Sequence, residues 1–218
     1  YSEKPNAQRL VDGLGDEWEA GKVGYKPYAA VTSIHSALDA LLEIMREHVL
    51  APDDIAHVRV GTSHMTYVHC AWEYKAQGVT AAQMNLFYSL AVVAHDGVAF
   101  VEQYDQSRLA DPTLLAFIGR IEAYADPEID AMGPAFRHAA RVEITTRAGK
   151  KLHKEILNRR GSPENPLSHS EVVEKFRAVT RRAITRERSD RIIELVQNLE
   201  SEGDVRDLLS TLASPLNS

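Results

Sequence analysis

The chain has 218 residues, 44% of them hydrophobic and 26% charged, a composition that can bury the core of one large domain or of one domain with an appendage. A net charge of −6 argues against a general nucleic-acid binder, which needs a basic field. The single cysteine, Cys70, excludes an intramolecular disulfide framework and fits a reducing compartment, and no apolar run approaches the ~20 residues of a membrane span. A cytoplasmic location is therefore expected. The chain opens on Tyr1 and not on Met, which suggests a fragment or a processed product.

Residues 1–24 are polar, carry glycines at 13, 15, 21 and 24, and read as a connecting segment with at most a short helix. The stretch Tyr25-Lys-Pro-Tyr28 follows, where Pro27 forces extended or turn backbone on Lys26. Thr32 or Ser33 stands where an N-cap would, opening a helix from about Ser33 to His48 with Ile34, Leu38, Leu41, Leu42, Met45 and Val49 on one stripe. His35 then falls in the first turn, where the helix dipole favours a neutral imidazole and free N–H groups can meet an anion. Lys26 and His35 together suit a carboxylate ligand. The plainer alternative is a basic linker entering a helix beside an exposed histidine.

Pro52-Asp-Asp54 turns the chain into a half-buried strand in which Ala56, Val58, Val60 and Thr62 alternate with His57, Arg59 and Gly61. Residues 63–79 lack a clean period and are expected as a loop packing Trp72 and Tyr74. His64, His69 and Cys70 lie in it, but without metal-ligand spacing or a second cysteine, so no metal is expected. One helix is expected from Thr80 to His95, closed by Gly97, and another from Thr113 to Tyr124 behind Asp111-Pro112. Val142, Ile144 and Thr146, a turn at Ala148-Gly149, and Leu152, Lys154 and Ile156 make the clearest hairpin.

Arg159-Arg160-Gly-Ser-Pro-Glu-Asn-Pro166 is a loop by composition and only superficially like a phosphate loop. Ser168-His-Ser-Glu171 is a capping box opening the first of three terminal helices. The arginines at 181, 182, 186, 188 and 191 are interleaved with Glu187 and Asp190, the pattern of a solvated helix face. The whole reads as α+β: an antiparallel sheet from strands near 55–62, 140–147 and 151–158, covered by the helices at 33–48 and 80–95. The expected division is 1–24 as connector, 25–167 as the α+β domain and 168–218 as a C-terminal helical appendage.

Lys26-Pro-Tyr28 followed by His35-Ser-Ala-Leu-Asp39-Ala resembles the MmgE/PrpD family of 2-methylcitrate dehydratases, cis-aconitate decarboxylases and iminodisuccinate epimerases. Asp12-Gly-Leu-Gly15, Asp96-Gly97, Ala125-Asp-Pro-Glu128, Pro163-Glu-Asn-Pro-Leu-Ser168 and Lys175-Phe176 continue the resemblance in order. It covers nearly all of this chain but only about the second half of a typical member. The resemblance implies a lid-type α+β domain whose last helices pack on a helical N-terminal domain that this chain lacks. It further implies a homodimer, a small di- or tricarboxylate substrate, and no metal or organic cofactor.

Proton transfer beside a carboxylate needs a base and groups that hold developing negative charge. By resemblance His35 is the candidate for proton transfer and Lys26 for holding a carboxylate, the two expected within reach of each other and facing an open cleft. Asp39, one turn on, could orient His35, but a solvated i,i+4 neighbour is the preferred reading. The family usually reads Glu-Ala-x-Phe-Ser-Leu-x-Tyr where this chain has Ala81, Met84, Asn85 and Tyr88. Asn85 and Tyr88 are accordingly candidate substrate-binding residues, with a core tyrosine as the alternative for Tyr88. Many members read Pro-Cys-Cys where this chain has Ala29-Ala-Val31. The leading expectation is the C-terminal part of a 2-methylcitrate dehydratase-like lyase or isomerase, inactive alone. The alternative is a non-catalytic assembly or regulatory module that has kept the fold.

Overall fold

A computed structural model describes residue 4, residues 6–201 and residues 203–213. The first helix, α1 (His35–Glu47), forms where the stripe places it and buries Leu38, Leu41 and Ile44 completely. A 3-10 turn, Thr32–Ile34, leads into it, and neither Thr32 nor Ser33 supplies a side-chain cap. The helix ends in a Schellman motif: Leu50 N–H donates to the Met45 carbonyl at 2.9 Å and Val49 N–H to that of Arg46 at 3.4 Å. Such a motif needs a left-handed residue, and here Val49 adopts φ 52°.

Four strands form a mixed sheet in the order β2-β1-β3-β4, from β1 (Ile55–Thr62), β2 (Ile121–Ala125), β3 (Ala140–Thr146) and β4 (Lys151–Ile156). The expected strands pair antiparallel: β1 with β3 from Ile55↔Thr146 to Thr62↔Ala140, and β3 with β4 from Thr145↔Lys151 to Ala140↔Ile156. A bulge between Ile55 and His57 turns Ile55 inward and leaves Ala56 exposed, reversing the expected side of Ala56.

The edge strand β2 replaces the last part of the helix expected at 113–124. Helix α5 (Pro112–Ile118) stops before Gly119, and β2 then pairs parallel with β1 from Val58↔Ile121 to Thr62↔Ala125. Ile118 and Ile121 fit a helical stripe, but Ile121 and Ala123 fit a strand face equally well, and the open edge of β1 decides between them. Gly61 makes the pairing possible. A Cβ there would lie 2.6 Å from the Tyr124 hydroxyl oxygen.

One face of the sheet is packed by α1, and α4 (Leu86–Asp96), whose Leu90–Val93 run is fully buried, packs on α1 and α5. Lys154 reaches from β4 to Glu43 and Glu47 of α1 at 2.8 and 2.7 Å. The opposite face is polar, with Arg59 paired to Glu122, Arg141 to Glu155 and Lys151 to Glu143. The helix expected from Thr80 to His95 is two: α3 (Val79–Met84) and α4, separated by Asn85 in extended conformation at ψ 124°. Helix α2 (His64–Cys70) lies where a loop was expected, capped by Ser63, whose Oγ accepts from Thr66 N–H. A short helix, α6 (Pro127–Ala131), follows β2 and starts at the Asp126 cap.

The terminal helices are α7 (His169–Thr180), α8 (Arg186–Gln197) and α9 (Arg206–Ala213). The capping box at α7 is present: Glu171 N–H donates to Ser168 Oγ at 3.3 Å and Ser168 N–H to Glu171 Oε2 at 2.8 Å. These helices bury little. Val179, Val196, Leu199, Val205, Leu209 and Leu212 remain exposed.

Candidate active site

The Lys26 loop is stitched to three distant segments through its backbone. Tyr25 N–H donates to Gly161 at 2.8 Å, Ala29 N–H to Ala99 at 2.9 Å and Val31 N–H to Gln83 at 2.9 Å. Extended backbone imposed by Pro27 leaves these amides free to bond outward. Lys26 itself is exposed, with Nζ 3.5 Å from the Ala30 carbonyl oxygen.

His35 contacts the same carbonyl, Nε2 to Ala30 O at 3.2 Å. Because a carbonyl only accepts, Nε2 carries the proton and Nδ1 is the bare nitrogen. That Nδ1 has no hydrogen-bond partner among the described residues. The ring is enclosed at 0% exposure, with the edge of Tyr28 at a centroid distance of 5.2 Å. Burial pushes its pKa down to about 3, and Arg159, Lys26 and His138 push in the same direction against the pull of the Ala30 carbonyl. His35 is therefore neutral, as its place in the first turn implied. The expectation that it faces an open cleft does not hold: Lys26 is open to solvent and His35 lies behind it.

Asp39 is neither solvated nor directed at His35. It is 5% exposed and accepts from Tyr28 Oη at 2.6 Å and from Arg160 N–H at 3.1 Å. Burial raises its pKa, while the Tyr28 and Arg160 bonds oppose that rise. Burial, and then Asp39, lift the Tyr28 hydroxyl well above the usual range of a phenol. Arg160 continues the chain of contacts to α7 through Glu171, Nη1 to Oε1 at 2.6 Å. Tyr28, Asp39, Arg160 and Glu171 thus tie the Lys26 loop, α1, the 159–162 loop and α7 into one network.

Tyr88 and Asn85 stand elsewhere. Tyr88 is fully buried in α4, donates to the Gln103 carbonyl at 2.8 Å, and stacks on Tyr74 at 4.8 Å. Burial raises its pKa to about 12. Asn85 is also fully buried; its Oδ1 accepts from Tyr88 N–H and its Nδ2 donates to the Trp72 carbonyl. Both hold the α3–α4 junction together. Among the described residues no cluster of His, Cys, Asp or Glu could hold a metal ion, and no helix is long and apolar enough to cross a membrane.

Sequence reasoning missed the contributions of Tyr28, Arg160, His138 and Arg159. The available signal was the pair of arginines placed just after the hairpin and just before Gly161, a glycine whose φ of 84° marks a forced turn.

The MmgE/PrpD C-terminal domain family matches residues 28–201, beginning two residues beyond Lys26. A cis-aconitate decarboxylase-like protein, oryM, of Aspergillus oryzae (strain ATCC 42149 / RIB 40) is 25% identical over 216 residues, covering 96% of this chain and 44% of that protein. A cis-aconitate decarboxylase of Aspergillus terreus (strain NIH 2624 / FGSC A1156) is 25% identical over 220 residues, covering 97% of this chain and 44% of its own length. The chain therefore spans less than half the length of the curated relatives it matches. With most of its residues matched on an α+β fold, the chain belongs to the MmgE/PrpD family and carries that family's C-terminal domain.

Proposed function

We propose that this chain is the C-terminal part of a cofactor-independent lyase or isomerase acting on a small polycarboxylate. The observation that carries the reading is the exposed Lys26, presented on a loop fixed at three points, with a neutral histidine directly behind it. A fixed ammonium group suits the charge that builds on a substrate carboxylate when the neighbouring carbon loses a proton. Dehydration of a 2-methylcitrate-like acid, decarboxylation and epimerisation are the candidate reactions, and the relatives' names favour cis-aconitate decarboxylation.

Lys26 is the residue proposed to touch substrate. His35, enclosed and bonded to the Ala30 carbonyl, is proposed as a positioning residue that shapes the Lys26 loop. The proton-transferring group then comes from a helical N-terminal domain in the rest of the protein, against which the exposed apolar residues of α7–α9 pack. A homodimer in the cytoplasm completes the proposal.

Turnover of cis-aconitate and 2-methylcitrate by the full-length protein tests it, with Lys26→Met, His35→Gln and His35→Ala compared. Lys26→Met should lower kcat/KM by about 10²–10³. If His35 positions the loop, glutamine, which keeps an N–H donor, should restore most of what alanine loses and leave the pH profile unchanged. A direct acid–base histidine would instead lose about 10²–10⁴ in both variants. Wild-type turnover of neither acid would favour a non-catalytic module, a reading supported by Ala29-Ala-Val31 and by the enclosure of His35.

A further inference from the structure

The half-buried arginines of this chain have their partners, with one exception. Arg108, Arg141 and Arg160 each hold a carboxylate at 2.6 Å. Arg120 and Arg188 donate to backbone carbonyls. Arg159 is half-buried as well, yet its side chain makes no hydrogen bond or ion pair among the described residues. The carboxylate that senses it, on exposed Glu164, lies beyond ion-pair distance.

The topology places Arg159 with other unsatisfied groups. The hairpin pairing ends at Ala140↔Ile156, so the segments carrying His138 and Arg159 leave the sheet at the same end. Lys26 lies there too, because its neighbour Tyr25 donates its N–H at 2.8 Å to Gly161, two residues past Arg159. Lys26 Nζ and His35 Nε2 share the Ala30 carbonyl, and His35 senses Arg159, Lys26 and His138 together. His138 Nε2 accepts from Arg137 Nε at 3.2 Å, which puts the imidazole proton on Nδ1. That Nδ1 is buried without an acceptor among the described residues. A guanidinium and a buried N–H donor thus both lack an acceptor beside an ammonium group, and a carboxylate satisfies all three.

Arginines and Lys154 also line grooves elsewhere on the chain, where carboxylates already pair with them. The groove of about 340 Å³ between α7 and residues 98–103 is lined by Arg160, Arg181 and Arg182, but Glu171 and Glu102 already neutralise them.

We propose that Arg159 and His138, at the open end of the β3–β4 hairpin, form a second carboxylate-binding subsite beside Lys26. This rests on the polycarboxylate reading: Lys26 takes one carboxylate and Arg159 with His138 takes another, which selects di- and tricarboxylates over monocarboxylates.

The test is calorimetric titration of the full-length protein with tricarballylate, a tricarboxylate with neither hydroxyl nor double bond to react. Wild-type protein should bind it, Arg159→Met should weaken binding about tenfold or more, and Arg159→Lys should recover part of the loss. His138→Phe should weaken it less. Arg159→Gln, read in parallel, serves if the methionine variant does not fold. Absence of wild-type binding, or an affinity unchanged within about twofold in both Arg159→Met and Arg159→Gln, would overturn the subsite. Arg159-dependent binding without turnover of any polycarboxylate would sink the lyase reading and leave the subsite standing.

Discussion

Tyr25 and Gly161 cross so closely that a Cβ on the glycine would lie 2.0 Å from the Tyr25 carbonyl oxygen, while Tyr25 N–H donates back to the Gly161 carbonyl at 2.8 Å. Nothing larger than hydrogen fits at this crossing, and φ of 84° is costly for other residues there. Gly161→Ala should therefore cost more than the ~1–2 kcal/mol of a left-handed conformation alone. It should also lower turnover in the full-length protein by moving the Lys26 loop. Urea denaturation paired with kcat/KM would check both, and an alanine variant as stable as wild type would contradict the crossing.

Asp39 satisfies two buried donors, Tyr28 Oη and Arg160 N–H. Asp39→Ala leaves both without an acceptor and should destabilise by about 1–3 kcal/mol. Asp39→Asn should cost less, since the amide keeps one acceptor and Tyr28 can turn its hydroxyl to accept from the new N–H. Equal losses in the two variants would argue that packing, and not hydrogen bonding, sets the value of the site.

Acid should weaken the fold through His35. Its folded pKa is about 3 against an ordinary 6.5, so the unfolded chain takes up a proton as pH falls below 6.5 while the folded chain refuses it until near 3. Stability from this group is fully present above 6.5 and falls across that window, with a slope of up to about 1.4 kcal/mol per pH unit. His138, lowered to about 4, acts with the same sign down to that pH. Asp39 acts oppositely: with its pKa raised by burial, its contribution is present below the ordinary carboxyl range and is lost as pH rises through the folded value. Denaturation midpoints from pH 7.5 to 4.5 should flatten in His35→Gln. An unchanged slope would remove His35 as the cause.

Val49 is a β-branched residue in left-handed conformation, 89% exposed, with no packing to lose. Val49→Gly should relieve about 1–2 kcal/mol of strain and give back about 0.5–1 kcal/mol to the entropy of the unfolded chain. A gain of roughly 0.5–1 kcal/mol is expected from the difference. A thermal midpoint that falls would refute the Schellman geometry.

If, as proposed, a helical N-terminal domain supplies the proton-transferring group, residues 1–218 expressed alone should turn over neither cis-aconitate nor 2-methylcitrate. The exposed apolar residues on α7–α9 should also drive self-association of the isolated chain. Light scattering and a substrate panel would check this, and a monomeric, active preparation would overturn it.

What could be read from sequence was what is local. The strict alternation of Ala140, Val142, Ile144 and Thr146 is visible in the β3 burial pattern, and the Ser168–Glu171 box needs only four consecutive residues. Strand β2 escaped because its five residues carry a helical spacing too, and only the free edge of β1 favours the strand. The break at Asn85 depends on Trp72 offering a carbonyl, a tertiary partner that the run from Thr80 does not reveal. At the site, Lys26 and His35 could be singled out by motif, but Asp39 finds its partner Arg160 at a separation of 121 residues. No local period encodes a contact of that kind.

That separation also governs when the Lys26 loop can take shape during synthesis. The loop leaves the ribosome before Gly161 and Arg160, which hold it and follow more than a hundred residues later. At about 5–20 residues per second, the nascent loop waits on the order of ten seconds for them. During that interval Tyr28 and Asp39 have each other but not the arginine, and the sheet has β1 but neither β3 nor β4. A translational pause between the codons for Thr62 and Ala140 would lengthen the exposure of β1 edges that have no partner yet, the state most open to pairing with another chain.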